Sequence, residues 1–497
     1  MKEDSKNITR RNFLGTTGAV AAGLTILPSS VISGLGKRAP SDKLNIAIVG
    51  IGGMGNSNLK AVKGTENIVA LCDVDWAYSK PVFDANPDAK RFWDWRKMYD
   101  EMGKSIDAVI VATADHTHCI VASTAMTMGK HVYVQKPLTH SVYESRLLTK
   151  LAAKHKVATQ MGNQGSSGEG VNLTVEWIQN GEIGEVTKVE AFTDRPIWPQ
   201  GLNRPAKEDA IPETLNWDLF IGPAQPRPYN SIYHPWNWRG WWDFGTGALG
   251  DMACHIMHPV FKALKLQYPV RAQGSSTLLL TDCAPNAQMV KLVYPERIAP
   301  NGSKIKYPQV DVTWYDGGIQ PPKPAGWPAG KDMNNNGGGV LFHGTKDTLV
   351  CGCYGRDPWL LSGRVPVVTK TERRLPEGVS HELDWVRACK ETPENRVATK
   401  SDFSEAGPFN EMVVMGVLAV RLQGLNKELL WDGQKMEFTN ISDDDKVKIC
   451  VEDSFTIKDG HPTFTKKWTD PMSAKQFAAE MVKHNYRKGW SLPEMPA

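Results

Sequence analysis

The sequence has little net charge and lacks a long apolar run. Its formal net charge is +4 over 497 residues, and the basic residues before Ala39 already exceed the acidic ones by that number. The rest of the chain is formally neutral, so it offers no basic field for nucleic-acid phosphates. No apolar stretch approaches the roughly 20 residues of a membrane-spanning helix. We therefore expect a small-molecule partner, with no nucleic acid and no membrane insertion of the mature protein.

Cysteine is also sparse, with 8 residues scattered along the chain. This spacing is unlike the dense framework of a small disulfide-rich domain. The close pair Cys351 and Cys353 has no second pair or nearby His that would complete a zinc site. His116 and His118 likewise lack a matching Cys or carboxylate cluster, so we predict no metal site. Free thiols are expected, with one or two disulfides as the open alternative.

Residues 1–38 have the character of an export signal. Arg10-Arg11-Asn-Phe-Leu precedes a short apolar run rich in Gly and Ala, and a Pro/Ser/Gly stretch follows. The pattern resembles a twin-arginine signal and predicts a periplasmic or otherwise exported protein. The alternative is a tail with a chance arginine pair.

The pattern over residues 43–165 predicts a dinucleotide-binding Rossmann domain with a doubly wound parallel sheet. A β-branched strand ends at Val49 and enters a glycine turn, after which a helix begins. In such a turn Gly50 permits the reversal, Gly52 lets the backbone approach a pyrophosphate, and Gly55 permits close packing of helix on strand. The predicted cofactor contacts in this turn are Gly50, Gly52, Gly53, Met54 and Gly55.

Asp73 ends the next predicted strand, 18 residues beyond Gly55. An acid at this distance can accept hydrogen bonds from the adenosine ribose hydroxyls. Its negative charge would repel a 2′-phosphate, which favours NAD over NADP. A helix cap or turn is the alternative role for this aspartate.

Two polar clusters follow later strands of the same domain. One runs from Thr113 to His118 and the other is Gln135-Lys136-Pro137. Ligands of doubly wound sheets bind at the carboxyl ends of the strands. We therefore expect these clusters beside the cofactor.

Residues 166–440 predict a substrate-binding α+β domain with an open, largely antiparallel sheet. Strand patterns occur at 186–192, 288–293, 309–314 and 340–342, and a long helical pattern runs from 409 to 425. We expect residues 441–497 to form an irregular C-terminal extension that packs on the body.

The order of these landmarks is similar to that of the Gfo/Idh/MocA oxidoreductases. The glycine turn, the cluster ending at His118, Gln135-Lys136-Pro137, and a glycine stretch followed by Asp251-x-x-x-His255 occur in sequence over about residues 43–440. Two departures concern the cofactor contact: Gln135 replaces the usual Glu, and Ala114-Asp115 replaces a frequent Pro-Asn. Neither departure changes Lys136, the lysine of the motif.

The resemblance implies roles for three residues. It places Lys136 between the nicotinamide and a substrate hydroxyl, Asp251 on a neighbouring hydroxyl, and His255 as the general base. It also implies cofactor contacts for Thr113, His118, Gln135 and Lys136. Independently, a four-residue spacing puts Asp251 and His255 on one helix face, and alcohol oxidation needs both a base and a cation. We expect an imidazole pKa near neutrality for the base.

An aromatic segment precedes this helix and predicts a wall that suits a polyol or glycoside. Its candidate substrate residues are Tyr233, Trp236, Trp238 and Arg239. The alternative role of these aromatic residues is packing in the core. For Trp241 and Trp242 we weigh this role equally with substrate contact. Further candidate substrate contacts are Asn163, which the resemblance suggests, and His258, for which a structural role is the alternative.

Three functions remain open from the sequence. The first is NAD-dependent oxidation of a sugar or glycoside hydroxyl, with C3 as a candidate position. The second is a redox-neutral NAD-dependent glycosidase that oxidises transiently and eliminates the aglycone, and the third is a non-catalytic sugar-binding protein. Because free NAD is scarce outside the cell, an exported enzyme should hold it tightly. The resemblance also implies a homo-oligomer formed through the C-terminal sheet.

Overall fold

The computed structural model describes residues 42–299, 301, 303–334 and 337–497. The predicted twin-arginine signal, residues 1–38, lies outside the described residues. Residues 44–497 form one unit by their backbone contacts.

A six-stranded parallel sheet forms the first part of this unit. Its strands are β1 Asn45–Val49, β2 Asn67–Cys72, β3 Lys90–Phe92, β4 Ala108–Val111, β5 His131–Val134 and β6 Thr159–Met161. The order is β3-β2-β1-β4-β5-β6, with Val49 opposite Val111 in the register of β1 and β4. Because the order reverses beside β1, the carboxyl ends of β1 and β4 open into a crevice. The predicted Rossmann sheet is confirmed.

Helices connect these strands. They are α1 Met54–Lys63, α2 Lys80–Asp84, α3 Trp95–Met102, α4 Asp115–Thr127, α5 Val142–His155 and, after β6, α6 Glu169–Gln179. A capping box fixes the start of α5, because the Ser141 side chain accepts from the Glu144 backbone while the Glu144 side chain accepts from the Ser141 backbone.

A nine-stranded mixed sheet forms the second part. Its strands are β7 Val186–Phe192, β8 Arg271–Ser276, β9 Gln288–Tyr294, β10 Val310–Tyr315, β11 Gly339–Gly344, β12 Thr348–Gly352, β13 Trp359–Leu360, β14 Leu429–Asp432 and β15 Glu437–Phe438. The order is β13-β12-β11-β7-β10-β9-β8-β14-β15. Only β7 and β10 pair in parallel, which confirms the largely antiparallel prediction for this sheet.

Six further helices follow β7 in the part of the chain that the structure describes. They are α7 Trp217–Ile221, α8 Gly247–Ile256, α9 His258–Ala263, α10 His381–Cys389, α11 Phe403–Arg421 and α12 Ala474–Val482. The long helix α11 is buried along most of its length and contacts α5, α8 and β8. It therefore helps to fix the position of α8.

The C-terminal extension is more regular than expected. β17 Cys450–Lys458 and β18 His461–Trp468 form a hairpin, and the short strands β16 Lys446–Val447 and β19 Met472–Ser473 pair beside it. The prediction of an irregular segment was wrong. Asp459 and Gly460 form the turn with φ values of 52° and 79°, the left-handed pair that a two-residue hairpin loop requires.

All eight cysteines are buried as free thiols. Among the described residues, none of the helices combines the length and the apolar character that crossing a bilayer takes. Over the same residues, no group of three or more His, Cys, Asp or Glu side chains is arranged to hold a metal ion.

Candidate active site

The glycine turn after β1 forms one end of a long cleft. Gly50 has a φ of 81°, which only glycine adopts without strain. A Cβ on Gly55 would lie 1.8 Å from the Gly50 carbonyl oxygen, and a Cβ on Gly52 would lie 2.2 Å from the Tyr78 ring. Gly50, Gly52, Gly53 and Met54 line the cleft. Gly55 is therefore needed for the packing of helix on strand and Gly52 for the approach of the Tyr78 ring. A glycine turn of this form at the start of a helix fits a dinucleotide.

Asp73 lies beside the turn at the carboxyl end of β2 and lines the same cleft. Its two carboxylate oxygens accept from the backbone amides of Ile51, at 2.8 Å, and Asp75, at 2.9 Å. Burial raises the pKa of Asp73, and the two amide bonds partly offset this. Each oxygen keeps a second lone pair, so the carboxylate can still accept from ribose hydroxyls.

Aromatic side chains enclose this end of the cleft. Tyr78, Trp93 and His234 line it, and the His234 Nε2 atom lies 2.9 Å from an Asp75 carboxylate oxygen. Sequence analysis missed Tyr78 and Trp93 because no motif marks them, and they reach the cleft only through the loops after β2 and β3. His234 belongs to the aromatic segment that the sequence predicted as a wall of the site.

The clusters after β4 and β5 meet at the middle of the cleft. Thr113 lines it, as does Gln135, whose amide donates to the Asn58 side chain at 2.8 Å. The buried His118 ring lies outside the lining residues. Its Nδ1 is 2.8 Å from the Pro137 carbonyl oxygen and its Nε2 is 3.0 Å from that of Thr113. His118 therefore joins the two clusters and, contrary to our expectation, does not face the cofactor.

Lys136 and Asp251 form an ion pair in this region. The Lys136 ammonium donates to the Asp251 carboxylate at 2.7 Å and to the Asp251 carbonyl at 3.1 Å. Arg239 donates to the same carboxylate oxygen at 3.2 Å. Burial alone would raise the pKa of Asp251, but the two cations lower it to about 2. The second carboxylate oxygen makes no hydrogen bond to the described residues and is available to a ligand.

His255 lies one turn beyond Asp251 on α8 and lines the same cleft. Its Nδ1 atom is buried and has no hydrogen-bond partner among the described residues. Burial, together with the nearby Lys136 charge, lowers the pKa of His255 to about 3. The expected near-neutral pKa was wrong, because the ring is dehydrated and faces a cation. The imidazole is a neutral acceptor throughout the physiological range.

Tyr354 packs against the His255 ring, with 4.5 Å between ring centroids. It lies in the 3₁₀ turn Cys353–Gly355 and has a φ of 64°, which is rare for an aromatic residue. A Cβ on Gly165 would lie 2.8 Å from that of Tyr354, so glycine is needed for this approach. Sequence analysis missed Tyr354, although the neighbouring Gly355 was a signal of an unusual turn.

Two tryptophans of the predicted aromatic wall line the cleft. The Arg239 guanidinium lies 3.9 Å from the centroid of the Trp236 ring and 4.3 Å from that of the Trp238 ring. Both rings and the Asp251 carboxylate therefore fix Arg239, and Trp236 remains 47% exposed at the cleft. Stacked cations of this kind combine packing with a directed charge.

Five other predicted or considered residues lie within the protein and not along the cleft. Tyr233 packs edge-on against the buried Trp241 ring at 4.8 Å, and Trp242 is also in the core. The His258 Nε2 atom is 2.8 Å from a Glu405 carboxylate oxygen. Buried Asn163 has its amide 3.5 Å from the Cys254 carbonyl. For Tyr233, His258 and Asn163 the structure shows packing or internal bonds in place of the substrate contacts we expected.

Asp115 connects α8 to the first sheet. One buried carboxylate oxygen accepts from the Thr246 backbone amide at 3.1 Å and from its hydroxyl at 2.8 Å. Thr246 directly precedes α8, so the bond fixes the start of the helix that carries Asp251 and His255. Burial raises the pKa of Asp115 to about 7.

Comparison with known proteins agrees with this geometry. Residues 44–163 match the Gfo/Idh/MocA family model described as an oxidoreductase family with an NAD-binding Rossmann fold. Residues 180–294 match the model of the same family's C-terminal alpha/beta domain. The chain carries both domains of the Gfo/Idh/MocA oxidoreductase family. NAD is the cofactor of the Rossmann domain.

Curated relatives in this family are distant and match only part of the chain. Levoglucosan dehydrogenase of Pseudarthrobacter phenanthrenivorans is 26% identical over 230 residues, which cover 43% of this chain and 49% of the relative. Alpha-N-acetylgalactosaminidase of Shewanella oneidensis is 28% identical over 210 residues, covering 37% and 46%. The chain thus spans less than half the length of these relatives, which include a dehydrogenase and a glycosidase.

Solved structures of similar fold cover more of the chain. The WlbA dehydrogenase of Bordetella pertussis, solved with NADH and UDP-GlcNAcA, superimposes with a TM-score of 0.52 at 15% identity. The match covers 78% of this chain and 99% of that one. At this identity the likeness shows a shared fold.

Proposed function

We propose that this NAD-dependent oxidoreductase acts on a secondary hydroxyl of a sugar or glycoside, with C3 as the candidate position. One observation carries the proposal: Lys136, Asp251 and His255 line the same cleft as the glycine turn. Bound NAD would supply the acceptor for the hydride that leaves the carbinol carbon. The chain must then position the hydroxyl and receive its proton.

His255 suits the task of accepting that proton. Its ring lines the cleft, and the low pKa keeps the imidazole neutral and able to accept a proton. A substrate hydroxyl that donates to the ring from the cleft would be oriented by that bond. Because the free imidazole is a weak base, the transfer must occur together with loss of the hydride.

Lys136 suits the task of stabilising negative charge on the substrate oxygen. Asp251 anchors the ammonium, so its direction is fixed before substrate arrives. The free oxygen of Asp251 can accept from an adjacent hydroxyl, and two neighbouring hydroxyls are a property of sugars. Trp236 adds an exposed flat face of the kind on which sugar rings stack.

Redox-neutral glycoside cleavage is the second candidate. It is favoured by relatives named as glycosidases, among them the Shewanella oneidensis enzyme and a glycosyl hydrolase family 109 protein of Akkermansia muciniphila, 28% identical over 182 residues. The same site could oxidise the C3 hydroxyl of a glycoside transiently, which would acidify the proton on C2. Loss of that proton would expel the aglycone from C1, after which water would add at C1, the proton would return to C2 and the hydride to C3.

Mass spectrometry of products from a panel of sugars and glycosides separates the two candidates. The enzyme is used as isolated, without added NAD, and NADH is followed by absorbance. A keto product with matching NADH supports the oxidoreductase, whereas free sugar with no net NADH supports the glycosidase. Binding of sugars without either product would contradict both.

We also propose that the protein is exported, because of the N-terminal arginine pair. We further propose that it retains NAD tightly, because NAD is scarce outside cells. Cell fractionation and the NAD content of the purified protein test them. Recovery in the cytoplasm, or purification of a cofactor-free protein that binds added NAD weakly, would contradict this pair of proposals. The expected homo-oligomer is tested by light scattering, where a monomer mass would exclude it.

A further inference from the structure

A second cavity lies behind the candidate active site and has no part in the proposed oxidation. It has a volume of about 330 Å³ and is lined by His140, Trp242, Arg421, Phe477, His484 and Asn485, among others. His116 lines both this cavity and the active-site cleft. We call it the Arg421 cavity. It brings together the segment before α5, the end of α11 and the C-terminal helix α12.

Arg421 is the unusual group in this cavity. Its guanidinium carbon lies 5.3 Å from the centroid of the Trp242 ring and 5.1 Å from that of the Phe477 ring. Burial lowers the pKa of Arg421 to about 10, so the side chain remains a cation at neutral pH. No acceptor among the described residues bonds or ion-pairs with it. Arg421 is half-buried, and its N–H groups are therefore free to donate to an acceptor that enters the cavity.

The acidic residues of the cavity are engaged elsewhere. Glu144 accepts from the Tyr486 hydroxyl at 2.7 Å and from the His140 and Ser141 amides at 3.0 and 3.2 Å. Asp243 forms an ion pair with Arg227, and Glu480 accepts from the Gln476 amide. None of these carboxylates lies within ion-pair distance of Arg421.

The remaining polar groups can assist an anion. The His140 and His484 rings stack with 4.7 Å between centroids, and burial lowers the pKa of both. At neutral pH they add no charge of either sign. Asn485 and Gln225 also line the cavity and carry amide donors.

We propose that the Arg421 cavity binds a small oxyanion, a carboxylate, phosphate or sulfate group, through the guanidinium of Arg421. The planar fork of arginine matches two oxygens of such a group, and its two aromatic neighbours hold the fork in place. The site is separate from Lys136, Asp251 and His255, so its occupation does not depend on the proposed oxidation.

Calorimetric titration of the NAD-containing protein with sodium acetate, phosphate, sulfate and chloride at constant ionic strength tests the proposal and distinguishes the oxyanions. We expect at least one oxyanion to bind with a stoichiometry of one, and Arg421→Gln to weaken it at least about tenfold. Lys475→Gln, which removes an exposed cation from the same helix as Phe477, is the matched control and should change affinity less than about twofold.

Arg421→Lys keeps the charge and provides a second variant if Arg421→Gln does not fold. It should bind chloride like the wild type but lose affinity for the oxyanion, because lysine lacks the fork. Bound-NAD content and circular dichroism report whether each variant is folded. Absence of binding by the wild type, or equal affinity in a folded Arg421 variant, would overturn the proposal.

Discussion

The ion pair between Lys136 and Asp251 is the residue-scale feature on which the chemistry depends. Lys136→Met keeps the length of the side chain but removes the charge that would stabilise an oxyanion. We expect turnover to fall at least about 100-fold while NAD remains bound. Turnover is measured by product formation, and bound NAD by release on denaturation.

Lys262 provides a matched control for this change. It pairs with Glu372 at 3.2 Å and its side chain is 12% exposed, against 13% for Lys136. Lys262→Met therefore removes an equally buried pair outside the cleft. Similar turnover losses in the two variants would mean that Lys136 acts through stability alone.

The protonation state of His255 gives a second prediction at this scale. Since its folded pKa is about 3, the ring should remain neutral from pH 8 down to about pH 5. Nitrogen NMR of labelled histidine, assigned with His255→Gln, measures this directly. A midpoint near 6.5 would contradict the described burial of the ring.

At this scale the sequence predicted the residues that belong to ordered motifs. Lys136, Asp251 and His255 were found because each motif has a fixed position along the chain. Tyr354 and Tyr78 were not, because they come from segments with no motif and reach the cleft only through folding. His118 was assigned to the cofactor because a motif fixes position in sequence and does not fix the direction of a side chain.

At the scale of elements, the bond from Asp115 to Thr246 positions helix α8 relative to the first sheet. Asp115→Ala leaves the buried Thr246 amide unsatisfied, and we expect kcat to fall about tenfold with little change in NAD affinity. Asp115→Asn keeps an acceptor oxygen and should restore most of the rate. Steady-state kinetics and NAD titration provide the measurements.

Asn216→Ala is the control for this prediction. Asn216 caps α7 by accepting from the Leu219 amide at 3.0 Å, away from α8. Loss of the Asn216 cap costs about 1 kcal/mol of stability, and loss of the Asp115 bonds to buried Thr246 costs about 1–3 kcal/mol, so denaturation measures the stability that each variant loses. If kcat falls equally in both, or if asparagine fails to rescue, Asp115 has no positioning role.

The elements themselves were predictable where hydrophobic periodicity was strong. β1, β5 and β7 occur where the pattern placed them, since buried strands of β-branched residues are distinctive. The hairpin of β17 and β18 was missed, although Asp459-Gly460 between alternating residues is a hairpin signal. Its exposed Phe455 and Phe464 obscured the usual contrast between a buried and a solvated face.

At the scale of the whole molecule, buried histidines should dominate the response of stability to acid. Burial lowers the pKa of His116, His118, His131 and His484 to about 4 and that of His255 to about 3. Below pH 6.5 these side chains take up protons when unfolded but not when folded. Their contribution to stability is therefore complete above pH 6.5 and is lost as the pH falls.

Three buried carboxyl groups oppose this effect. Burial raises the pKa of Asp115, Glu144 and Asp316 to about 7, so between pH 4.5 and 6.5 they hold protons in the folded state. The five histidines exceed these three groups, so the unfolded state binds more protons. Each net proton is worth about 1.4 kcal/mol per pH unit, and the full excess of two protons is approached only near pH 5. We expect the free energy of unfolding to fall on acidification, with a slope close to zero at pH 6.5 that rises to about 2.5 kcal/mol per pH unit at pH 5.

Urea denaturation at pH 6.5, 6.0, 5.5 and 5.0 measures this slope, and His131→Gln tests its origin. His131 lies at the start of β5, and its Nδ1 atom accepts from the Ala158 amide at 2.9 Å, a bond that a glutamine oxygen can replace. Removing one such histidine should reduce the slope by about 1.4 kcal/mol per pH unit. A wild-type stability that is constant or rises over this range would show that the imidazoles are solvated in the folded protein, because only dehydration keeps them neutral.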